Sequence, residues 1–161
     1  ELLVVIVIIS ILIGLMLPVL SHVRETTRKT AARDTVGQLV VCWKSYLNDY
    51  RCFPDESLTE MDLLAVSILA GSNYNHKGFA YMEFTAEQMT NGLVDPWGNR
   101  YQIALDNGVS PRDDTGAYDG KVTPFGAEVR RPVLVWSKGP DKSDVDAEAR
   151  KDDLRNWREG E

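Results

Sequence analysis

The sequence contains few of the residues that usually build catalytic or metal centres. It has two cysteines, Cys42 and Cys52, and two histidines, His22 and His76, and neither histidine lies in a recognisable nucleophile or metal motif. A Cys-x-x-Cys pair, a Cys/His cluster with zinc spacing and a glycine-rich phosphate loop are all missing. These absences argue against structural zinc, and they predict that the chain is not an enzyme.

Long runs of basic residues are also missing. The 161 residues carry 24 acidic and 18 basic side chains, a formal net charge of −6, and no basic run could follow a phosphate backbone. Nucleic acid is therefore not predicted as a partner. A chain of this length has room for one modest folded domain.

The two cysteines leave two states open. Cys42 lies in a strong helical pattern, and a ten-residue helical separation from Cys52 would span about 15 Å, too far for a disulfide. A bridge therefore requires the chain to fold back on itself. The other state is an ordinary buried thiol at Cys42.

The amino-terminal segment has a different composition from the rest. Leu2 to Leu20 contains 19 residues without a charge, which as a helix would run about 28 Å and match the hydrocarbon thickness of a bilayer. A cleaved secretory signal would carry a basic region before the apolar run and a small-residue cleavage site after it. Neither is visible, so residues 1–20 are predicted to form a transmembrane or filament-core helix.

An acid opens this apolar segment. A carboxylate at that edge raises the free energy of inserting the segment into a membrane by up to a few kcal/mol unless a partner charge compensates it. Glu1 is therefore expected either to pair with a cation on a neighbouring subunit or to lie at a membrane surface. Pro18 removes a backbone donor, and Gly14 and Ser10 weaken the helix before it. The stretch from Ser10 to Pro18 is therefore a candidate for local melting.

An amphipathic helix is predicted to continue from Val19 to about Tyr50. Its apolar residues recur on one face at helical spacing: Val36, Leu39, Val40, Trp43, Tyr46, Leu47 and Tyr50. The run Arg51-Cys-Phe-Pro54 ends the helix, because a residue before proline is pushed out of the helical region. Residues 21–51 are thus predicted to form a stalk, and residues 52–161 a globular head.

The sequence of the head contains both helix and strand signals. A capping box, Ser57-x-x-Glu60, precedes an apolar stretch from Met61 to Leu69, with Gly71 as its end, and Thr85-x-x-Gln88 predicts another short turn. Strands are predicted at Phe79–Glu83, Arg100–Leu105 and Val133–Ser137, and an irregular connection at 106–132. The fold class is therefore α+β, with a long amino-terminal helix packed on a small antiparallel sheet and a long irregular loop.

Two further motifs lie in the head. Asp95-Pro-Trp-Gly-Asn99 combines a proline-set turn with a glycine free to take a positive φ, which predicts a rigid corner before a strand. Near the carboxyl end, Ser137-Lys-Gly-Pro-Asp141 is followed about ten residues later by Asp152-Asp153. This tail is either a solvated acidic segment or a loop that folds its oxygens around a hard cation, and calcium suits such an irregular loop better than magnesium.

These motifs together resemble those of a known family. Glu1-Leu-Leu-Val-Val-Ile-Val-Ile-Ile-Ser-Ile-Leu-Ile-Gly-Leu-Met-Leu-Pro18 is similar to the amino-terminal motif of type IV pilins and pseudopilins. The corner at Asp95–Asn99 and the tail resemble those of major pseudopilins of type II secretion systems. The resemblance covers the first 20 residues, the stalk in general terms and these two short motifs.

The resemblance implies a function and a set of partners. The chain would polymerise into a periplasmic pseudopilus, a helical filament that drives type II protein secretion, with minor pseudopilins and an inner-membrane assembly platform as partners. A prepilin peptidase would remove a basic leader, and the mature chain would begin with a methylated Phe a few residues before Glu1. The glutamate would then pair with the amino-terminal amine of a neighbouring subunit.

The resemblance also implies calcium ligands and a location. Asp141, Asp152 and Asp153 would be side-chain ligands, helped by Ser137 and the Lys138 carbonyl. The chain would cross the inner membrane once, with its head in the periplasm and a periplasmic or extracellular filament when assembled. The positive-inside rule alone would put the basic flank after the apolar run in the cytoplasm, and the family placement is preferred because the rule needs the charges on both sides.

Two other readings stay open beside the pseudopilin. One is a type IV pilin of a surface filament, which the Asp95–Asn99 corner and the tail argue against. The other is a membrane-anchored calcium-binding protein that never polymerises. Replacement of Glu1 distinguishes the last from a filament subunit, because only assembly should depend on that carboxylate.

Overall fold

The computed structural model describes residues 2–54, 58–72, 75–106, 129–144 and 152–157, apart from the side chains at 2 and 15–19. Within these ranges the chain is α+β, with three helices that precede a three-stranded antiparallel sheet. The predicted fold class is confirmed at this level. The predicted loop at 106–132 lies almost entirely outside the described residues, as do Glu1 and Ser57.

Helix α1 spans Leu2–Tyr50. It ends where the sequence predicted, because Arg51 takes a positive φ of 59° and its N–H donates to the Leu47 carbonyl oxygen at 2.8 Å. The backbone is helical through Ser10, Gly14 and Pro18 in this single chain, and melting of that stretch on assembly stays a prediction.

The two halves of α1 have different surroundings. From Ala32 to Tyr46, one face is buried in the head, as the helical spacing predicted. The apolar side chains from Leu3 to Ile13 are instead between 47% and 69% exposed. These side chains point in all directions around the helix, because 11 residues make about three turns.

The predicted membrane anchor is not supported. In the described part of the chain, no helix has an apolar stretch long enough to cross a bilayer. The prediction of a single-pass inner-membrane protein with its head in the periplasm is therefore wrong.

Two short helices follow the stalk. Helix α2 spans Leu63–Leu69, and its N-cap is Asp62, whose carboxylate accepts from the Ala65 N–H at 2.9 Å. Helix α3 spans Ala86–Asn91 and begins with the predicted capping box of Thr85 and Gln88.

The sheet contains two of the three predicted strands. Strand β1 spans Gln102–Leu105, β2 spans Val133–Ser137 and β3 spans Leu154–Arg155, in the order β1-β2-β3 with antiparallel pairing throughout. The short strand β3 was not predicted.

The prediction of a strand at Phe79–Glu83 is wrong. In that described stretch the chain pairs with helices instead of with another strand. The Tyr81 N–H donates to the Leu69 carbonyl oxygen at the end of α2, and the Tyr81 carbonyl accepts from the Cys42 thiol of α1 at 3.3 Å. Cys42 is buried and Cys52 exposed, and both are free, so the ordinary buried thiol is the state observed.

Strand β2 lies at the centre of the head and is buried along its whole length. Val133 and Val135 join the core under α1, which includes Leu39 and Trp43. The alternate residues Leu134 and Trp136 face the other side, where they pack with Trp157 of the tail. Because both faces are apolar, the tail must return across the sheet to cover the second face.

Candidate metal centre

The pairing of β2 with β3 brings the two halves of the tail together. Trp136 lies opposite Arg155, and Ser137 lies opposite Leu154. Continuation of this antiparallel register beyond the strands places Lys138 opposite Asp153 and Gly139 opposite Asp152. The structure therefore brings together the two segments that the sequence predicted to share a cation site.

Gly139 is in direct contact with the second segment. It has a φ of +69°, and a Cβ atom at this position would lie 2.9 Å from both the carbonyl oxygen and Oδ2 of Asp152. Only a residue without a side chain fits this approach in this backbone conformation. The backbone of Gly139 thus fixes one side of Asp152.

Asp153 carries an unsatisfied buried carboxylate. Its side chain is fully buried, and neither carboxylate oxygen has a hydrogen-bond partner among the residues described. Among the described residues it forms an ion pair with Arg155, whose Nε lies 3.9 Å from Oδ2, too far for a hydrogen bond. A buried carboxylate without partners is costly in the free protein and is a natural ligand for a cation.

Electrostatics also connect Asp153 with three other acids. Burial is the main cause that raises the pKa of Asp153, to about 7, and the carboxylates of Asp144, Asp152 and Asp141 raise it further, whereas Arg155 lowers it. The three neighbouring carboxylates therefore disfavour the ionised form of Asp153. A bound cation would reverse that effect.

Asp144 is a member of this group that the sequence did not identify as a ligand. Its Oδ2 accepts from the Trp136 indole N–H at 3.2 Å, and its Oδ1 lies 3.4 Å from Lys138 Nζ. No local motif distinguishes Asp144 from the other acids of the tail. Its position follows from the fold of the loop around Trp136.

The remaining predicted ligands have different surroundings. Asp141 is exposed and accepts from the Ser143 N–H at 3.0 Å. Ser137 is fully buried, and its hydroxyl donates to Asp95 Oδ2 at 2.6 Å while it accepts from the Gly139 N–H at 3.1 Å. Its hydroxyl oxygen is thus already used to join the tail to another part of the head.

That other part is the predicted corner at Asp95–Asn99. The Asp95 carboxylate is buried and accepts from the backbone N–H groups of Trp97 and Asn99 at 3.0 and 2.8 Å. Gly98 has a φ of +87°, and its N–H donates to the Asp95 carbonyl oxygen at 3.0 Å. The corner is a closed turn, as its sequence predicted.

The donor set fits calcium better than a small, strictly octahedral ion. In the ranges that the structure describes, no three His, Cys, Asp or Glu side chains form a ready metal-binding group. Calcium, however, accepts six to eight oxygens in irregular geometry, including backbone carbonyls. The unsatisfied Asp153 carboxylate beside other carboxylates is the observation that fits such an ion.

Comparison of the chain with known protein families, with curated proteins and with solved structures returned no match.

Substitution of Gly139 should disturb the position of Asp152. We expect Gly139→Ala to reduce the free energy of unfolding by about 1–3 kcal/mol in chelator, because it combines a strained φ with a contact that must open. The matched control is Gly78→Ala, which has a φ of +67° and nothing within 4 Å of the added Cβ. Urea unfolding measures both, and equal losses would show that the Asp152 contact has no effect.

The buried carboxylate should give the chelated protein an unusual pH dependence. The pKa of Asp153 in the folded protein, about 7, lies above its ordinary value of 3.8. Between these two pH values, the folded state therefore binds a proton at Asp153 that the unfolded state has lost. The contribution of the Asp153 carboxyl to the free energy of unfolding is fully present below about pH 4 and is lost as the pH rises through 7. We expect Asp153→Asn to remove this loss. Urea unfolding from pH 4 to 8 in chelator checks it, and parallel curves for the two proteins would contradict it.

Proposed function

We propose that the chain is a structural subunit that polymerises into a helical filament, in the manner of a major pseudopilin of a type II secretion system. The observation that carries this proposal is the exposed apolar part of α1. Its apolar side chains from Leu3 to Ile13 are about half exposed or more on every side of the helix. A helix that is apolar all round is stable when other apolar surface covers it.

Other copies of α1 supply such a surface. The second half of each helix is fixed to its own head through buried residues such as Leu39 and Trp43, so the exposed half projects from the head. Copies that bundle through their projecting halves would bury this apolar surface and display their heads outward. Repetition of one heterologous contact then produces a helical filament.

The sequence supports a role for Glu1 in this assembly. In the proposed filament, Glu1 pairs with a cation on a neighbouring subunit, since an acid among bundled apolar helices needs a partner. Ser10, Gly14 and Pro18 are the positions where the helix would loosen to let subunits pack. In the free chain the Ser10 hydroxyl donates to the Ile6 carbonyl oxygen at 2.7 Å, which is a local bond that such loosening must break.

The tail supports a second part of the proposal, in which a calcium ion fixes it to the sheet. Asp152, Asp153 and Asp141 would hold the ion through their carboxylates, with the Lys138 carbonyl as a backbone ligand, and Asp144, whose charge raises the pKa of Asp153, is a further candidate. Bound calcium supplies the positive charge that these acids lack. Residues of the chain hold the ligand segments in place, because β3 and Trp157 pack the second segment against β2.

Assembly should depend on the projecting apolar half of α1. We expect the full-length chain, expressed with a type II assembly system, to form filaments, and Ile8→Lys to reduce the filament fraction at least tenfold because it places a charge among packed helices. Thr27→Lys, on the exposed polar part of the same helix, is the control and should assemble normally. Sedimentation and negative-stain microscopy measure the fraction.

The alternatives give different results in this experiment. A wild-type chain that stays monomeric at every concentration would overturn the filament proposal and favour a calcium-binding protein that does not polymerise. Normal assembly of Ile8→Lys would show that the apolar half of α1 is not the contact between subunits.

Calcium should stabilise the head. At a concentration 100-fold above its dissociation constant, it should add about 2.7 kcal/mol to the free energy of unfolding, and magnesium should add less because it holds its waters more tightly. Asp152→Asn should remove most of this gain, whereas Asp34→Asn, an exposed acid on α1, should keep it. Thermal unfolding with and without chelator measures the difference, and an unchanged wild-type midpoint would exclude the calcium site.

A further inference from the structure

The corner at Asp95–Asn99 and the first segment of the tail share one buried hydrogen-bond network. Asp95 Oδ2 accepts from the Ser137 hydroxyl at 2.6 Å and from Asn99 Nδ2 at 3.2 Å. The same Asn99 amide nitrogen donates to the Gly139 carbonyl oxygen at 3.2 Å. Asn99 therefore contacts both the carboxylate that organises the corner and the backbone of the tail.

Gly139 connects this hydrogen-bond network to the candidate metal centre. Its carbonyl oxygen is held by Asn99, its N–H is held by the Ser137 hydroxyl, and its Cα side lies against Asp152. Ser137 and Asn99 both bond to Asp95, so two bonds from one anchor fix the two peptide groups on either side of the Gly139 Cα, which faces Asp152. Neither peptide group can rotate without breaking its own bond.

The corner holds the backbone of Asn99 in a fixed orientation. Asn99 has its own backbone fixed at both ends of the turn, because its N–H donates to Asp95 Oδ1 and its carbonyl accepts from the Asp95 N–H at 2.7 Å. Its side chain thus leaves a turn whose backbone is closed by hydrogen bonds within residues 95–99.

We propose that Asn99 is a positioning residue for the cation site, which holds the Gly139–Pro140 peptide group so that Asp152 meets a bound calcium ion in its ligating position. The inference rests on the proposed calcium function. Asn99 does not touch the ion in this role. It acts as outer-shell residues do in other metal sites, where loss of an orienting hydrogen bond weakens binding about 10- to 100-fold.

Terbium, a luminescent substitute for calcium, gives a direct test with the full-length chain in mild detergent. Trp136 donates to Asp144, so excitation of tryptophan should transfer energy to an ion bound at these carboxylates. We expect Asn99→Ala to weaken terbium binding at least tenfold, with the wild-type luminescence restored at saturating ion. Calcium competition should give the same ratio.

A second variant and a matched control separate positioning from a loss of folding. Asn99→Asp keeps the size of the side chain but cannot donate to the Gly139 carbonyl oxygen, and it should weaken binding at least as much. Asn91→Ala, at the exposed end of α3, should bind as the wild type does. In chelator, amide hydrogen exchange of the 137–141 segment should be faster in both Asn99 variants, whereas exchange in α2 should be unchanged.

The outcomes distinguish this inference from the function on which it rests. If the wild type binds neither terbium nor calcium, the calcium site itself is overturned, and the role of Asn99 with it. If the wild type binds and both Asn99 variants bind equally well, the site stands and the positioning role is overturned. Weaker binding in both variants with unchanged exchange in α2 supports it.

Discussion

Burial of β2 on both faces is the constraint on which the rest of the head depends. Val133 and Val135 need an apolar cover on one side, and Leu134 and Trp136 need one on the other. Helix α1 covers the first side, and Trp157 of the tail covers the second. Because the chain must return across the sheet to supply that cover, the acids that precede β3 come to lie beside the turn that follows β2.

Two buried carboxylates in the head illustrate opposite uses of the same group. Asp95 accepts hydrogen bonds from two backbone N–H groups, a hydroxyl and an amide, so its burial is compensated within the protein. Asp153 has no hydrogen-bond donor among the described residues and has other carboxylates nearby. The first is therefore a structural anchor, and the second is a ligand candidate. The two are joined through Gly139, which contacts the network of one and the neighbour of the other.

Helix α1 combines two environments in one continuous element. Its second half is amphipathic and belongs to the core of the head, whereas its described apolar residues from Leu3 to Ile13 contribute nothing to that core. This surface has no stabilising role in the isolated chain, since exposed apolar area favours association instead of folding. The proposed filament gives that surface a partner of the same chemistry.

The sequence by itself determined the features that depend on neighbouring residues. It fixed the end of α1 before Pro54, the capping box of α3, the apolar strand β2 and the closed turn at Asp95–Asn99, because helix caps, turn residues and periodicity act over a few positions. It also indicated which two segments of the tail would come together, as the pairing of β2 with β3 shows.

Only the tertiary structure decided the features that depend on distant contacts. The stretch at 79–83 has strand-like residues, but its backbone bonds to the end of α2 and to Cys42, so it forms no strand. Strand β3 is two residues long and exists because β2 offers it a partner. Asp144 joins the carboxylates because Trp136 and Lys138 hold it there. Such pairings are set by which groups meet after the chain has folded, and no short sequence pattern records them.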